Sequence, residues 1–330
     1  MKIAKTLNFL AFFCIICGTG MAQDLIFSQF YNAPVHINSG FAGTVAYPRF
    51  SASYRLQWPG ITKTYETYAV TYDQFFPDQN IGLGAVVFND DQGDGTLRLT
   101  RAKGIVSYNL SITKELQLKF GVGVGYVQNR LDFDRLIFSV DRFGNPIPNT
   151  ETPPDQLNNG FLDLDMGLLL YNPYFYVGAS LFHLNGPYDG FLSDEADPSA
   201  LSLPALISIH GGTQIVLETD NKAQPTTFIS PNLIYAFQSG FHQFNLGAYF
   251  QRNAVFGGVA FRHVVENPDA VILSAGVHVN NLKISYSYDV TVSSLELPVS
   301  GGSHEIGLSL GLRHLEKKQS TLNDCFSLFR

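Results

Sequence analysis

The side chains able to do chemistry in this chain are few and scattered. Eight histidines (His36, His183, His210, His242, His263, His278, His304 and His314) stand singly along its 330 residues. None falls in an HExxH pair, and neither CxxC nor GxSxG occurs, so the spacings that build a zinc site, a redox pair or a nucleophile elbow are missing. The densest carboxylate group is "NDDQGDGT", Asn89 to Thr96, with Asp90, Asp91 and Asp94. Its opening carboxylates suit calcium, but the bidentate Glu that closes such a loop is absent, and the stretch reads as a solvated turn. Asp132, Asp134 and Asp141, with Arg135 and Arg142 among them, read as surface charge. "FGVGVGYV" (Phe120 to Val127) has glycines without the Lys-Ser/Thr of a phosphate loop, and its glycines suit the crowded inside of a barrel. The expectation is a protein with no catalytic residues, no metal site and no cofactor.

The ends of the chain set its compartment. Lys2 and Lys5 precede an apolar run from Leu7 to Cys17, and Gly20 and Ala22 are small residues at the −3 and −1 positions of a signal-peptidase site. Residues 1–22 therefore read as a signal peptide cleaved after Ala22. Cys14 follows Phe13 and Cys17 follows Ile16, neither of which suits a lipoprotein signal. Cleavage leaves Cys325 alone, which argues against a disulfide framework and leaves a structural thiol or a mixed disulfide with a partner. Without Lys2 and Lys5 the balance is 19 basic against 28 acidic side chains, so nucleic acid is excluded as a partner.

What remains must be built from strands. In "ELQLKFGVGVGYVQ" (Glu115 to Gln128), Leu116, Leu118, Phe120, Val122, Val124 and Tyr126 share one face. Glu115, Gln117, Lys119, Gly121, Gly123 and Gly125 share the other, because strand side chains have period two. The pattern returns in "IGLGAVVF", "FNLGAYFQ", "LKISYSYD" and "HEIGLSLGLR", each an apolar stripe backed by Gly, Ser or charge. Repeated apolar stripes of similar height fit a hydrocarbon band. Fourteen strands are predicted, starting near Phe50, Tyr65, Ile81, Thr96, Glu115, Phe161, Tyr174, Leu203, Phe228, His242, Val255, Ala270, Leu282 and His304. Short connections such as "FPDQN", "NPY" and "NN" alternate with long ones such as 132–160, as in a barrel with short periplasmic turns and longer extracellular loops. "TDNKAQPTT" and "QSG" break the alternation. Phe75, Phe76, Tyr171, Tyr174, Phe175 and Tyr176 read as an interfacial aromatic girdle.

One segment carries a resemblance. Gln23-Asp24, Phe27-Ser28-Gln29-Phe30, Asn38-Ser39-Gly40-Phe41-Ala42-Gly43 and Tyr54-Arg55-Leu56-Gln57-Trp58-Pro59 together resemble the amino-terminal signature of the PorP/SprF family of type IX secretion system membrane proteins of Bacteroidota. Ser39-Gly40 stands where that signature usually has Pro-Ala. "IGLGAVVFNDDQG" resembles the family's third strand and loop, and "SGGSHEIGLSLGL" its final strand. The signature residues are Phe27, Ser28, Gln29, Asn38, Ala42, Gly43, Gln57 and Trp58. The resemblance implies an all-β outer-membrane barrel that works with the type IX secretion and gliding machinery, as a component or as attachment partner of a secreted client. It implies no enzymatic step.

The expected organisation is a signal peptide at 1–22, a periplasmic segment at 23–49, a transmembrane barrel at 50–312 and a periplasmic tail at 313–330. Expected partners are outer-membrane lipid, type IX machinery proteins and a secreted surface client. Within the long loop, Leu136, Ile137, Phe138 and Phe143 are the candidate partner-binding residues. Two rivals stand beside this reading: a porin or hydrophobic-solute transport barrel, and a secreted β-sandwich enzyme or adhesin.

Overall fold

A computed structural model describes residues 24–61, 64–136, 157–191, 202–221, 224–265, 267–293, 297–312 and 325–329. Alternating apolar residues do form strands in this order: β1 (Arg49–Gln57), β2 (Tyr65–Phe76), β3 (Ile81–Gln92), β4 (Leu97–Ser111), β5 (Gln117–Leu131), β6 (Asn158–Tyr171), β7 (Phe175–Phe182), β8 (Leu206–Thr213), β9 (Ile215–Thr219), β10 (Pro225–Gln238), β11 (Phe241–Arg252), β12 (Val255–Val264), β13 (Asn267–Val279), β14 (Leu282–Thr291) and β15 (Ser303–Gly311). β8 and β9 both pair with β10 and are parted only by Gln214, so they make one wall strand with an irregularity. The wall thus has 14 antiparallel strands, each starting within three residues of its predicted position. It closes where β1 pairs with β15, Arg49 opposite Gly311 and Gln57 opposite Ser303. The ring is closed, as a bilayer requires, with β9 alone among the described strands pairing on one side only, against β10.

Turn chemistry sets the two ends apart. Asn80, Asn253 and Asn280 adopt φ between +52° and +56° in short turns at one end, the left-handed conformation that Asn tolerates best. That end also carries the start of β1 and the end of β15. The other end carries the long connections, including 132–157 and 183–205.

The barrel is apolar outside and polar inside. Val70, Val87, Val106, Val124, Leu246 and Val259 are each more than half exposed on the outer face. Between them, on the inner face, Arg49, Arg55, Asp73, Lys103, Lys119, Asp165, Lys283, Asp289 and Glu305 are buried. A soluble fold would not arrange these classes so; a wall facing hydrocarbon outward and a packed polar lumen inward does.

Candidate functional site in the barrel lumen

The sequence reading set residues 23–49 and 313–330 apart from the barrel, as segments outside it. The structure departs from that: residues 24–47 and 325–329 lie within the ring of strands. Asp24–Tyr47 touches β1, β2, β4, β6, β7, β10, β12, β14 and β15, which only the inside of a closed wall can present at once. These residues lack strand periodicity, which is why they read as external. A lumen lined with charges nevertheless supplies the hydrogen-bond partners that irregular backbone needs.

The inner-wall glycines make room for this segment. A Cβ on Gly82 would lie 2.2 Å from the Ala42 carbonyl oxygen, one on Gly121 2.3 Å from Ser39, and one on Gly167 1.8 Å from Asn38 Oδ1. Gly43, with φ +69°, brings its own backbone against Gly82, and a Cβ there would be 2.6 Å from the Gly82 Cα.

Charged side chains of the wall then hold the segment. The Ser28 and Gln29 amides donate to the two oxygens of Glu305 at 2.9 and 2.8 Å. Ser28 Oγ donates to Asp289 at 2.8 Å and accepts from Arg55 at 2.8 Å and Arg262 at 3.2 Å. Arg55 also pairs with Asp289 and Glu305, and Arg262 with Asp289 and Asp269. Asn38 Nδ2 donates to the Leu168 carbonyl at 2.8 Å and lies 3.1 Å from His210 Nε2. Lys119 Nζ donates to the Ala42 and Gly43 carbonyls, both at 2.6 Å. Asp24 pairs with Arg101 at 3.0 Å and with His183, which Asp163 holds from the other side.

Below this network the lumen is apolar. Phe30, Tyr31 and Phe41 of the segment pack with Tyr171, Tyr176, Tyr249 and Phe256 of the wall. The tail completes the cluster: Phe326 and Phe329 are about 1% exposed and lie 5.8 and 5.5 Å, centroid to centroid, from the Phe41 ring. Arg49 and Lys283 donate to the Phe329 and Leu328 carbonyls at 2.7 and 3.0 Å. Toward the long-loop end the filling stops. A cavity of about 480 Å³ remains there, floored by Asp24, Leu25 and Ile26 and walled by residues of β1, β2, β3, β11, β12 and β13.

The residues singled out in the sequence fall in three places. Phe27, Ser28, Gln29, Asn38 and Ala42 are buried in the lumen with Gly43 among them. Gln57 and Trp58 line the cavity near its rim. Leu136 ends a short 3-10 turn at the long-loop end, and Ile137, Phe138 and Phe143 lie outside the described residues. Asp91 and Asp94 pair with Arg98 and Arg135 at that end. Sequence reasoning missed Arg55, Arg262, Asp289 and Glu305. Arg55 stands inside the Tyr54–Pro59 signature element without being singled out, and the signal of the others was a charge at an inward position of a strand whose other face is greasy, as Asp289 is in "LKISYSYD".

The profile of the family described as type IX secretion system membrane protein PorP/SprF matches residues 19–310. No curated protein matches the chain. Among solved structures, the chain is similar to a TodX deltaS2S3 mutant monoaromatic hydrocarbon channel (TM-score 0.47, 9% identity, 84% of this chain and 92% of that one). It is also similar to the CymD monoaromatic hydrocarbon channel (TM-score 0.45, 11% identity, 89% and 95%) and to CdiB from Acinetobacter baumannii (TM-score 0.41, 8% identity, 81% and 60%).

Proposed function

Because the chain belongs to the PorP/SprF family of type IX secretion system membrane proteins, we propose that it is an outer-membrane barrel that holds or passes on a secreted client of that machinery, and is not a solute pore. The observation that carries this reading is the filled lumen. Residues 24–47 and 325–329 occupy it with a buried aromatic cluster and a hydrogen-bonded charge network. A transport path through this barrel would have to displace both. A partner-holding role asks only for a rigid wall and accessible ends. In this reading the short-turn end faces the periplasm, the long-loop end faces outward, and the signal peptide at 1–22 delivers the chain to the outer membrane. The loop from Asp132 to Gly160 is the contact surface, with Leu136, Ile137, Phe138 and Phe143 as apolar anchors and Pro146, Pro148, Pro153 and Pro154 limiting the ordering cost of binding. The role serves secretion or gliding and needs no enzymatic turnover.

The test is crosslinking in cells where this is the only copy of such a barrel, followed by identification of the captured proteins. A type IX machinery protein or client should be captured. Shortening the loop while preserving barrel insertion should abolish both capture and surface display of the client. Normal display of every type IX client after deletion of the whole gene would end this reading.

A further inference from the structure

The cavity at the long-loop end carries an excess of negative charge. Its two guanidinium groups, Arg55 and Arg262, are committed to three carboxylates, Asp269, Asp289 and Glu305. Asp90 on β3 is a fourth. It lines the cavity and is only 8% exposed, and its oxygens accept from two neutral donors, Thr67 Oγ1 at 2.6 Å and Gln92 Nε2 at 2.7 Å. Its anionic neighbours are already committed elsewhere, Asp91 to Arg98 and Asp24 to Arg101 and His183. A buried carboxylate held by neutral donors is stabilised by a cation.

The walls say what kind of cation fits. Among the described residues no three His, Cys, Asp or Glu side chains converge as metal ligands. Aromatic rings are present instead. Tyr65 stands opposite Gln92, one inward position nearer the rim than the Thr67–Asp90 pair, and Trp58 meets Tyr65 edge-on at 5.6 Å. Trp58 has φ +57°, a conformation bulky residues rarely adopt, fixed here by its N–H donating to Gly302 at 2.9 Å. Gln57 and Gln243 add neutral polar groups to the same wall. A compact charge beside aromatic faces and amides, in a space of about 480 Å³, suits an organic ammonium with a carbon stem.

We propose that this cavity binds a primary ammonium group, its charge on Asp90 and its stem against Tyr65 and Trp58, and that the group is a lysine side chain of a protein segment reaching the long-loop end. The source rests on the partner-holding reading above; the ammonium chemistry does not. Trp58 is the only tryptophan of the chain, so its emission reports on the site directly. The full chain in detergent is titrated with acetyl-Gly-Gly-Lys-Gly-Gly-amide, with the same peptide carrying norleucine, and with spermidine. The lysine peptide should give a saturable change, and the norleucine peptide should bind roughly tenfold or more weakly, as loss of a charge-assisted hydrogen bond implies. Asp90→Asn should abolish the preference for lysine and Asp90→Glu should restore it. Tyr65→Leu, which keeps the carboxylate, should weaken lysine binding even if Asp90→Asn fails to fold. Equal titration by lysine and norleucine, no saturable change with any probe, or an unchanged preference in Asp90→Asn overturns the proposal. Tighter binding of spermidine than of the lysine peptide overturns the protein source. Crosslinked capture of a type IX partner by Asp90→Asn at wild-type level removes this inference and leaves the partner-holding reading standing. Loss of all capture with lysine binding intact removes the partner-holding reading and with it the protein source, and leaves the ammonium site standing.

Discussion

Ser28 Oγ sits between one carboxylate and two guanidinium groups, donating to Asp289 and accepting from Arg55 and Arg262. A single hydroxyl thus ties the amino-terminal segment to three strands of the wall. Replacing it in Ser28→Ala leaves those charges paired with one another but short of one partner each, and should cost about 1–3 kcal/mol. Arg55→Met goes further, leaving Asp289 and Glu305 buried with one cation fewer, and should cost about 3–5 kcal/mol. Urea unfolding of the refolded barrel, followed by gel mobility, measures both; the double variant should lose less than the sum, because the two residues share Asp289. Equal, small effects would mean that the network does not hold the segment. The signature residues were legible in the sequence as a group, yet their roles were not. Ser28 acts through Glu305, 277 residues away, and Asn38 through His210, 172 residues away. No local pattern encodes such pairings. On the outer face the opposite holds. Val124, at the centre of β5 and 53% exposed, reads as lipid-facing from alternation alone. Val124→Lys should cost about 2–4 kcal/mol in a membrane-folding assay. At Gly123, an added Cβ would meet Asp165 at 2.4 Å, so there the limit is lumen space. Equal tolerance at the two positions would count against a lipid-facing β5.

Strands were the legible elements because a wall with hydrocarbon on one side and a polar interior on the other enforces period two throughout. All 14 wall strands could be placed on that basis; the irregularity of β9 lies in its pairing with β10, whose register shifts at Thr227. The segment from Asp24 to Tyr47 obeys no period, since it bonds to the wall through scattered amides and side chains. Its trace in the sequence was indirect: the glycines of the inner wall. Gly167 and Gly104 separate the two roles of glycine in this barrel. A Cβ on Gly167 would overlap Asn38 Oδ1, whereas one on Gly104, on the outer face, meets nothing within 4 Å. Cys325, buried at 2% exposure against the same cluster, reports the difference. Gly167→Val should make Cys325 react rapidly with a maleimide in the folded barrel, and Gly104→Val should leave it as slow as in the wild type. Slow labelling of both would mean that the filling of the lumen does not depend on the glycine gap.

At the scale of the molecule, the wall and its filling are two layers with different chemistry. The wall closes on itself through β1 and β15, and every described strand but β9 pairs on both sides. Its integrity therefore rests on backbone hydrogen bonds and outer-face burial in lipid, neither of which requires residues 24–47. The filling, by contrast, depends on the wall for nearly all its polar partners. A chain lacking residues 24–47 should accordingly still insert and keep heat-modifiable mobility, while losing the aromatic cluster that Phe30, Tyr31 and Phe41 build with the tail. Removing it leaves Arg55, Arg262, Asp289 and Glu305 facing an open lumen, where water enters readily beside such charges. In planar bilayers the full chain should be silent and the shortened one should conduct steadily, with a conductance that falls further when Phe326 and Phe329 are left in place than when both are changed to Ser. Steady conductance by the full chain would mean that the filling moves aside at rest, and a transport role would then displace the partner-holding one.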